Sequence, residues 1–313
     1  MSLAEAARSL AEGTAGDLGR PIPLLINGRA GALKSTADAD EMLRIAGECG
    51  LTLDVTLTDG PDDMRQCLRK LVAEGVKRIG VAGGDGTVGL AARELATTGV
   101  ALGIIPQGTA NNFATALRLP IDLPSALRVL CSGEPRDVDL GRITSGDGAG
   151  RYFNEAAGVG LFADALALYG GANKNPLRTL YAVARLRFTA RPHRVRLYVD
   201  GELHSERAVM VTAANTFRIA HAVPVAPGVK LTDGELDVVV IGDIARRDFA
   251  RYYKAMRAQL HTNLPNVTML KAREVRIETR APMNVHADDT VVGATPVTIA
   301  AAPRALTVLV DRL

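Results

Sequence analysis

The sequence predicts an α/β first half built on a parallel sheet and a mainly antiparallel β second half. Two observations carry this. Short apolar strands alternate with amphipathic helices up to about residue 120, the pattern of a parallel sheet covered by helices. After residue 136 the chain turns to Val- and Ile-rich strands with few helices between them, the pattern of an antiparallel sandwich or barrel.

Taken in order, Met1–Arg20 is polar and Ala/Gly-rich, without the apolar core of a signal peptide, and reads as a flexible segment. Pro23–Ile26 is a short strand ending in the turn Asn27-Gly28-Arg29-Ala30-Gly31. Ala39–Cys49 is helical, with Met42, Leu43, Ile45 and Ala46 on one face. Leu51–Leu57 alternates as a strand, and Asp62–Glu74 spaces Met64, Cys67, Leu68, Leu71 and Val72 as a helix. Val76–Val81 is a strand, followed by Gly83-Gly84-Asp85-Gly86-Thr87 and a helix to about Thr98. Val100–Ile105 is a further strand, and Pro106-Gln107-Gly108-Thr109 turns into a helix through Leu117. The expected domains are 21–135 and 136–313, with the last strand or tail free to return to the first.

The second half offers strands at Val138–Ile143, Arg151–Asn154, Arg194–Val199, Glu206–Ala213, Gly234–Ile241, Val275–Thr279, Met283–Ala287 and Leu306–Val310. Helices are expected near Asp164–Ala190 and Ile244–Leu260, and a hairpin turn at Ser145–Gly150.

Composition bounds the function. Of 313 residues, 47% are hydrophobic and 23% charged, as in a water-exposed globular protein, and no apolar run reaches the ~18 residues of a membrane span. Cys49, Cys67 and Cys131 are scattered, which argues against a disulfide framework or a zinc site and for a reducing cytoplasm. Residues 1–140 hold 14 Lys/Arg and 18 Asp/Glu, whereas residues 141–313 hold 23 and 16. The second half is therefore the one to meet an anionic partner, a membrane surface or nucleic acid, unless its charge only meets solvent.

Ligands of a parallel sheet sit at the carboxyl ends of its strands. The turns at Asn27, Gly83 and Gly108 all fall there. Glycines lack a Cβ and can take positive φ, so their N–H groups can converge on an anion. Gly84–Thr87 opens a helix, whose dipole favours phosphate. Asp85 is placed to hold Mg2+ or a hydroxyl beside it. Gly108-Thr109 is read as a second helix start, with Thr109 as cap, nucleotide donor or both. A plain strand-to-helix turn is the alternative.

Gly83–Thr87, followed by Ile105-Pro106-Gln107-Gly108-Thr109-Ala110-Asn111-Asn112-Phe113-Ala114, resembles the diacylglycerol-kinase catalytic family. The likeness is greatest to its soluble bacterial lipid kinases, including the YegS-like group. It runs from about residue 22 to 311 and takes in Phe153-Asn154-Glu155, Gly158-Val159-Gly160, Asp164-Ala165, Pro227-Gly228, Leu231–Asp237, Thr295-Pro296 and Pro303–Val310. It implies a Rossmann-like, NAD-kinase-like first domain and a β-sandwich second domain that shapes the lipid pocket. It also implies transfer of the γ-phosphoryl group of ATP to a lipid hydroxyl, with Mg2+, in phospholipid metabolism. ATP would be held by Asn27, Thr58, Gly83, Gly84, Asp85, Gly86, Thr87, Gly108, Thr109 and Asn111, although Thr58 also reads as an ordinary loop residue. A structural divalent site is implied at the carboxylate of Asp233 with the carbonyls of Lys230 and Glu235; an Asp-Gly hairpin turn is the alternative.

The implied partner is a lipid at an anionic membrane, with no nucleic acid, and a homodimer is left open. The enzyme would be cytoplasmic and peripherally membrane-bound. Basic amphipathic stretches at Lys174–Arg194 and Arg246–Arg257 either rest on lipid or cover the sandwich.

The chain departs from the family at four places. The Asp-Gly-Glu that carries the expected base reads Asp288-Asp289-Thr290. The Asn-Asp after Gly-Thr-Ala reads Asn111-Asn112, the Asn-Glu after the first motif reads Gly89-Leu90, and a glycine-rich stretch reads Asn215–His221. Threonine is no base near neutral pH. Asp289, turned inward by a β-bulge, or His286, on the face of Asp288 and Thr290, would replace it; otherwise no residue does. Three readings follow: a lipid kinase attenuated by loss of the base, a nucleotide- or lipid-binding protein with little activity, and a small-molecule kinase of the NAD-kinase type.

Overall fold

The computed structural model describes residues 21–28, 36–50, 52–146, 148, 150–169, 185, 192–219 and 223–311. The N-terminal segment, most of Lys174–Arg194, parts of the Ser145–Gly150 turn and the end of Asn215–His221 lie outside these residues. The chain divides into two compact units, residues 1–138 with 304–313, and residues 139–303.

In the first unit, strands β1 (Ile22–Asn27), β2 (Leu53–Thr58), β3 (Arg78–Gly83) and β4 (Ala101–Pro106) form a parallel sheet in the order β2-β1-β3-β4. The end of the last strand, β18 (Val297–Val310), adds parallel to β4 through Thr307 and Val308. So the chain's tail completes the first sheet. Nearly every residue of β1, β3 and β4 is buried, as covering helices require.

Helices α1 (Thr36–Glu48), α2 (Pro61–Ala73), α3 (Asp85–Leu95), α4 (Asn112–Ala116) and α5 (Leu123–Ser132) intervene. Helix α5 packs with α1, and α2 with α3. Gly80 and Gly103 are cross-strand partners on β3 and β4, and Leu130 of α5 fills the hollow they leave. A Cβ on Gly80 would stand 2.7 Å from the Leu130 side chain, so helix-to-sheet packing explains that glycine. Glu94 of α3 pairs with Arg65 and Arg69 of α2 at 3.0 and 2.8 Å.

The second unit holds a six-stranded antiparallel sheet, β14-β13-β10-β7-β16-β17, made of β7 (Ala156–Gly160), β10 (Met210–Ala214), β13 (Leu236–Ile241), β14 (Val267–Ala272), β16 (Asn284–Ala287) and β17 (Thr290–Ala294). The start of β18, with β15 (Glu274–Thr279), β8 (His193–Val199) and β9 (Glu202–Ala208), forms a second antiparallel layer, and β5 (Glu134–Ser145) pairs with β18 and with β6 (Arg151–Phe153). Val159, Val211, Val238 and Val285 of one layer share a core with Leu197, Val275, Ile277 and Ile299 of the other. This is a sandwich, not a barrel.

Among the described residues, five strands escape the sequence reading, two of them the short antiparallel pair β11 (Arg218–Ile219) and β12 (Val223–Pro224). Strand β7 reads Ala-Ala-Gly-Val-Gly, with neither alternation nor β-branched bulk, yet it lies in mid-sheet. Strands β14 and β17 were also missed, and the expected strand Glu206–Ala213 is two strands, β9 and β10, meeting at Val209. Helix α6 (Leu161–Tyr169) covers the described part of the first expected helix of this half apart from Arg185, which is also helical. The second expected helix is α7 (Phe249–Arg257), whose Tyr252, Phe249 and Met256 pack on Val209, Met210 and Ile241. Its apolar face thus covers the sandwich, while Arg247, Arg251, Lys254, Arg257 and Tyr253 stay exposed. No helix among the described residues is long and apolar enough to cross a membrane.

Candidate active site

The parallel register puts Asn27, Thr58, Gly83 and Pro106 at one edge of the first sheet, since Asn27 pairs with Thr58 and Gly83 with Pro106. The end of β1 and the loops after β3 and β4 meet there. The Nδ2 of Asn27 donates to Thr87 Oγ1 at 2.9 Å, and the Gln107 N–H donates to the Gly83 carbonyl at 2.9 Å. A Cβ on Gly84 would lie 3.1 Å from the Gly108 Cα, and one on Gly108 would lie 2.7 Å from the Gly84 Cα. The two glycine loops therefore touch backbone to backbone.

None of Gly83, Gly84, Gly86 and Gly108 has a positive φ. Of the two properties expected to explain these glycines, positive φ is not used. What the loops require is the missing side chain: a Cβ on Gly83 would sit 2.5 Å from that of Thr87. Gly108→Ala is expected to destabilise the fold by ~1–3 kcal/mol, as overpacking does, read by urea or thermal unfolding. A variant as stable as the parent would contradict the close approach.

Helix α3 begins at Asp85 with Gly84 as N-cap and no side-chain cap. Asp85 itself turns to the neighbouring loop, where its Oδ1 accepts the Asn112 N–H at 2.6 Å. Burial pushes the Asp85 carboxyl above the ordinary carboxylate value, against the pull of N–H groups from Asn112, Asn111 and Phe113. The expected long helix after Gly108 is only α4, which starts at Asn112, so Thr109 is exposed and is not its cap. Asp85 serves the start of α4 from across the loops. This link is long-range, and no local pattern reveals it.

Asn111 takes φ +47° and closes its own loop. Its Oδ1 accepts the Gly108 N–H at 2.8 Å and its Nδ2 donates to the Gly108 carbonyl at 3.0 Å. Thr58 is buried, with its hydroxyl donating to the Ile26 carbonyl at 3.2 Å. Leu90, found where the family pattern has an acid, is buried inside α3.

In the second unit, Asp288 and Asp289 form the turn between β16 and β17, not strand positions, and Asp288 has φ +53°. The register of this hairpin shifts where Val285 pairs with Gly293 and His286 with Val291, leaving Val292 of β17 as the extra residue, so the irregularity does not turn Asp289. Asp288 is spent on backbone, accepting the Glu155 N–H at 2.8 Å and the Asn154 N–H at 3.2 Å. Asp289 is half-buried, and its Oδ1 accepts the Thr290 hydroxyl at 3.1 Å. His286 is fully buried, 4.6 Å from the Phe162 ring centroid in an edge-on contact, and burial depresses it to about 4. A ring so enclosed cannot take a proton from a substrate, which corrects its candidacy as base.

The Asp233 turn does not fit a divalent ion. Lys271 Nζ donates to Asp233 Oδ2 at 2.6 Å, and Asp233 Oδ1 accepts the Glu235 N–H at 3.2 Å. No group of three or more His, Cys, Asp or Glu among the described residues is placed to hold a metal.

Residues 21–143 match the diacylglycerol kinase catalytic domain, and residues 156–310 match the YegS C-terminal NAD kinase beta sandwich-like domain. A diacylglycerol kinase of Mycobacterium tuberculosis is 30% identical over 299 residues, covering 92% of this chain and 93% of that protein. The chain belongs to the diacylglycerol kinase family. Membership makes it an enzyme of the lipid-kinase class. A diacylglycerol kinase of Bacillus subtilis is 28% identical over 224 residues, covering 69% of this chain and 71% of the other. In fold, a crystal structure of a diacylglycerol kinase from Bacillus anthracis str. Sterne superposes with TM-score 0.72 at 22% identity, covering 93% and 97% of the two chains.

Proposed function

We propose that this family member transfers the γ-phosphoryl group of ATP to the hydroxyl of a diacylglycerol-like or sphingoid lipid. The observation that carries the reading is the backbone contact of Gly84 with Gly108 beside the N-terminus of α3. Two loops pressed together without side chains leave main-chain N–H groups for a polyphosphate, at the strand edge where such ligands bind. In this reading the start of α3 at Gly83–Gly86, the Thr87 hydroxyl and Thr109 hold the phosphates. Gly108 presses its loop against Gly84 with its own N–H held by Asn111, Asn27 orients Thr87, and Thr58 shapes the sheet edge behind them.

One carboxylate beside substrate phosphates is a donor set that Mg2+ accepts. Asp85 supplies it, and bound Mg2+ would neutralise phosphate charge there. Phosphoryl transfer depends mostly on positioning and charge stabilisation. The acceptor hydroxyl must still lose a proton. Asp289 is the carboxylate of the β16–β17 turn not spent on backbone, so it takes that role in place of the family's glutamate. The exposed basic face of α7 supports cytoplasmic, peripheral attachment to an anionic membrane.

Radiolabelled ATP presented with diacylglycerol, sphingosine, phosphatidylglycerol and NAD tests the reading. Label is expected on a lipid and not on NAD. Asp289→Asn is expected to lower the lipid kinase rate by ~10²-fold, within the usual range for a general base; an unchanged rate removes Asp289 from the mechanism. Exposed Thr290, where the family has its base, favours one second reading, a binder with little turnover. ATP bound without label on any acceptor would establish it.

A further inference from the structure

We propose that the ammonium group of Lys271 is the resident cation of the Asp233–Asp237 turn, so that this chain's second unit needs no structural divalent ion. Lys271 Nζ stands 2.6 Å from Asp233 Oδ2, 3.6 Å from Asp237 Oδ2 and 3.8 Å from Glu235 Oε2. Three carboxylates thus converge on one side-chain cation.

The sheet fixes this arrangement. Lys271 of β14 lies directly opposite Asp237 of β13 in the antiparallel register. Directly opposed residues share a face of the sheet, with their side chains adjacent. Asp237 is only 6% exposed, and its Oδ2 has no hydrogen bond. Burial pushes its carboxyl up, and the charge of Lys271 pulls it down. The hydrogen bond to Asp233 raises Lys271 in turn. A buried carboxylate is costly unless paired. Lys271 therefore cannot swing away from Asp233 without also weakening its hold on Asp237.

The rest of the turn is already organised. The Gly234 N–H donates to Asp139 Oδ2 at 2.7 Å, and the Glu235 N–H donates to Asp233 Oδ1 at 3.2 Å. Both oxygens of Asp233 are thus engaged. Mg2+ demands close octahedral oxygen ligation and gives up water reluctantly. To bind at Asp233 it would have to displace an ammonium held by the opposite strand. The lysine supplies the positive charge for which other proteins recruit a metal, and it cannot dissociate.

The test uses nucleotide-free full-length protein and needs no kinase assay, so its outcome is separate from that of the lipid-kinase reading. After dialysis against EDTA, wild-type protein is equilibrated with Mg2+ or with Ca2+, desalted, and measured for bound metal and for Tm. No stoichiometric divalent ion is expected, and EDTA and Mg2+ should give the same Tm. Lys271→Met should lower Tm by ~5 °C, and Lys271→Arg should restore most of that. One divalent ion per wild-type chain that Asp233→Asn removes would overturn the proposal. So would a Lys271→Met variant with wild-type Tm. Should Lys271→Met not fold, the wild-type metal content alone decides.

Discussion

Asp85→Ala is expected to reduce lipid phosphorylation by about 10³-fold, and Asp85→Asn to reduce it almost as far while melting close to the wild-type temperature. The argument separates two roles of one carboxylate. As an acceptor, Asp85 Oδ1 holds the Asn112 N–H at 2.6 Å and so ties the loop after β4 to the loop after β3. Alanine leaves a buried donor unpaired, at a cost of ~1–3 kcal/mol, and frees Gly108 to move away from Gly84. Asparagine keeps an acceptor oxygen for that N–H and preserves the contact. It lacks the charge with which Asp85 would hold Mg2+ beside the phosphates, and loss of one such electrostatic contribution costs ~10²–10³ in kcat. Unfolding curves and steady-state kinetics on both variants distinguish the roles. Asparagine with wild-type kcat and KM would show that the carboxylate only ties loops together.

The division of roles at Asp85 also shows what was legible in the sequence. Helical and strand periodicity located β1 to β4 and the intervening helices, because each buries an apolar face that leaves a repeat. The edge of the sheet followed from the topology, and with it the meeting of Asn27, Gly83 and Gly108. Which of the two properties of glycine these loops use was not legible. Positive φ is a local property that a motif can imply, whereas the real constraint is a 2.7 Å approach between residues 24 positions apart. The same holds for Asp85 and Asn112, which are 27 positions apart. In the second unit, β7 was missed because small residues carry no pattern. The expected strand Met283–Ala287 ends where β16 ends, but setting His286, Asp288 and Thr290 on one face assumed that the strand continued, and the turn at Asp288-Asp289 breaks that alternation. Lys271 was invisible as a partner of Asp233 until the β13–β14 register set it opposite Asp237.

His286→Asn is expected to flatten the acid side of the stability profile and to leave the pH dependence of kcat where it was. The imidazole is enclosed in the second unit, with Nδ1 donating to the Asp288 carbonyl at 3.3 Å and Nε2 without a hydrogen-bond partner beside Phe162. Burial opposes its protonation and depresses it from 6.5 to about 4. Above pH 6.5 the ring is neutral in folded and unfolded chains alike, and the folded state bears no penalty. As pH falls from 6.5 towards 4, the unfolded chain binds a proton that the folded chain does not, so stability declines through that window. The gap between 6.5 and about 4 corresponds to about 3 kcal/mol at ~1.4 kcal/mol per tenfold change in proton affinity. Asparagine cannot titrate, so unfolding free energies at pH 7.5 and pH 4.5 should differ by about 2 kcal/mol less in the variant than in the parent. An effect of that size on a wild-type kinase, with the acid limb of kcat unmoved, would place His286 in the fold. An acid limb that disappears with the imidazole would instead return it to the chemistry, and would require this hairpin to open during turnover.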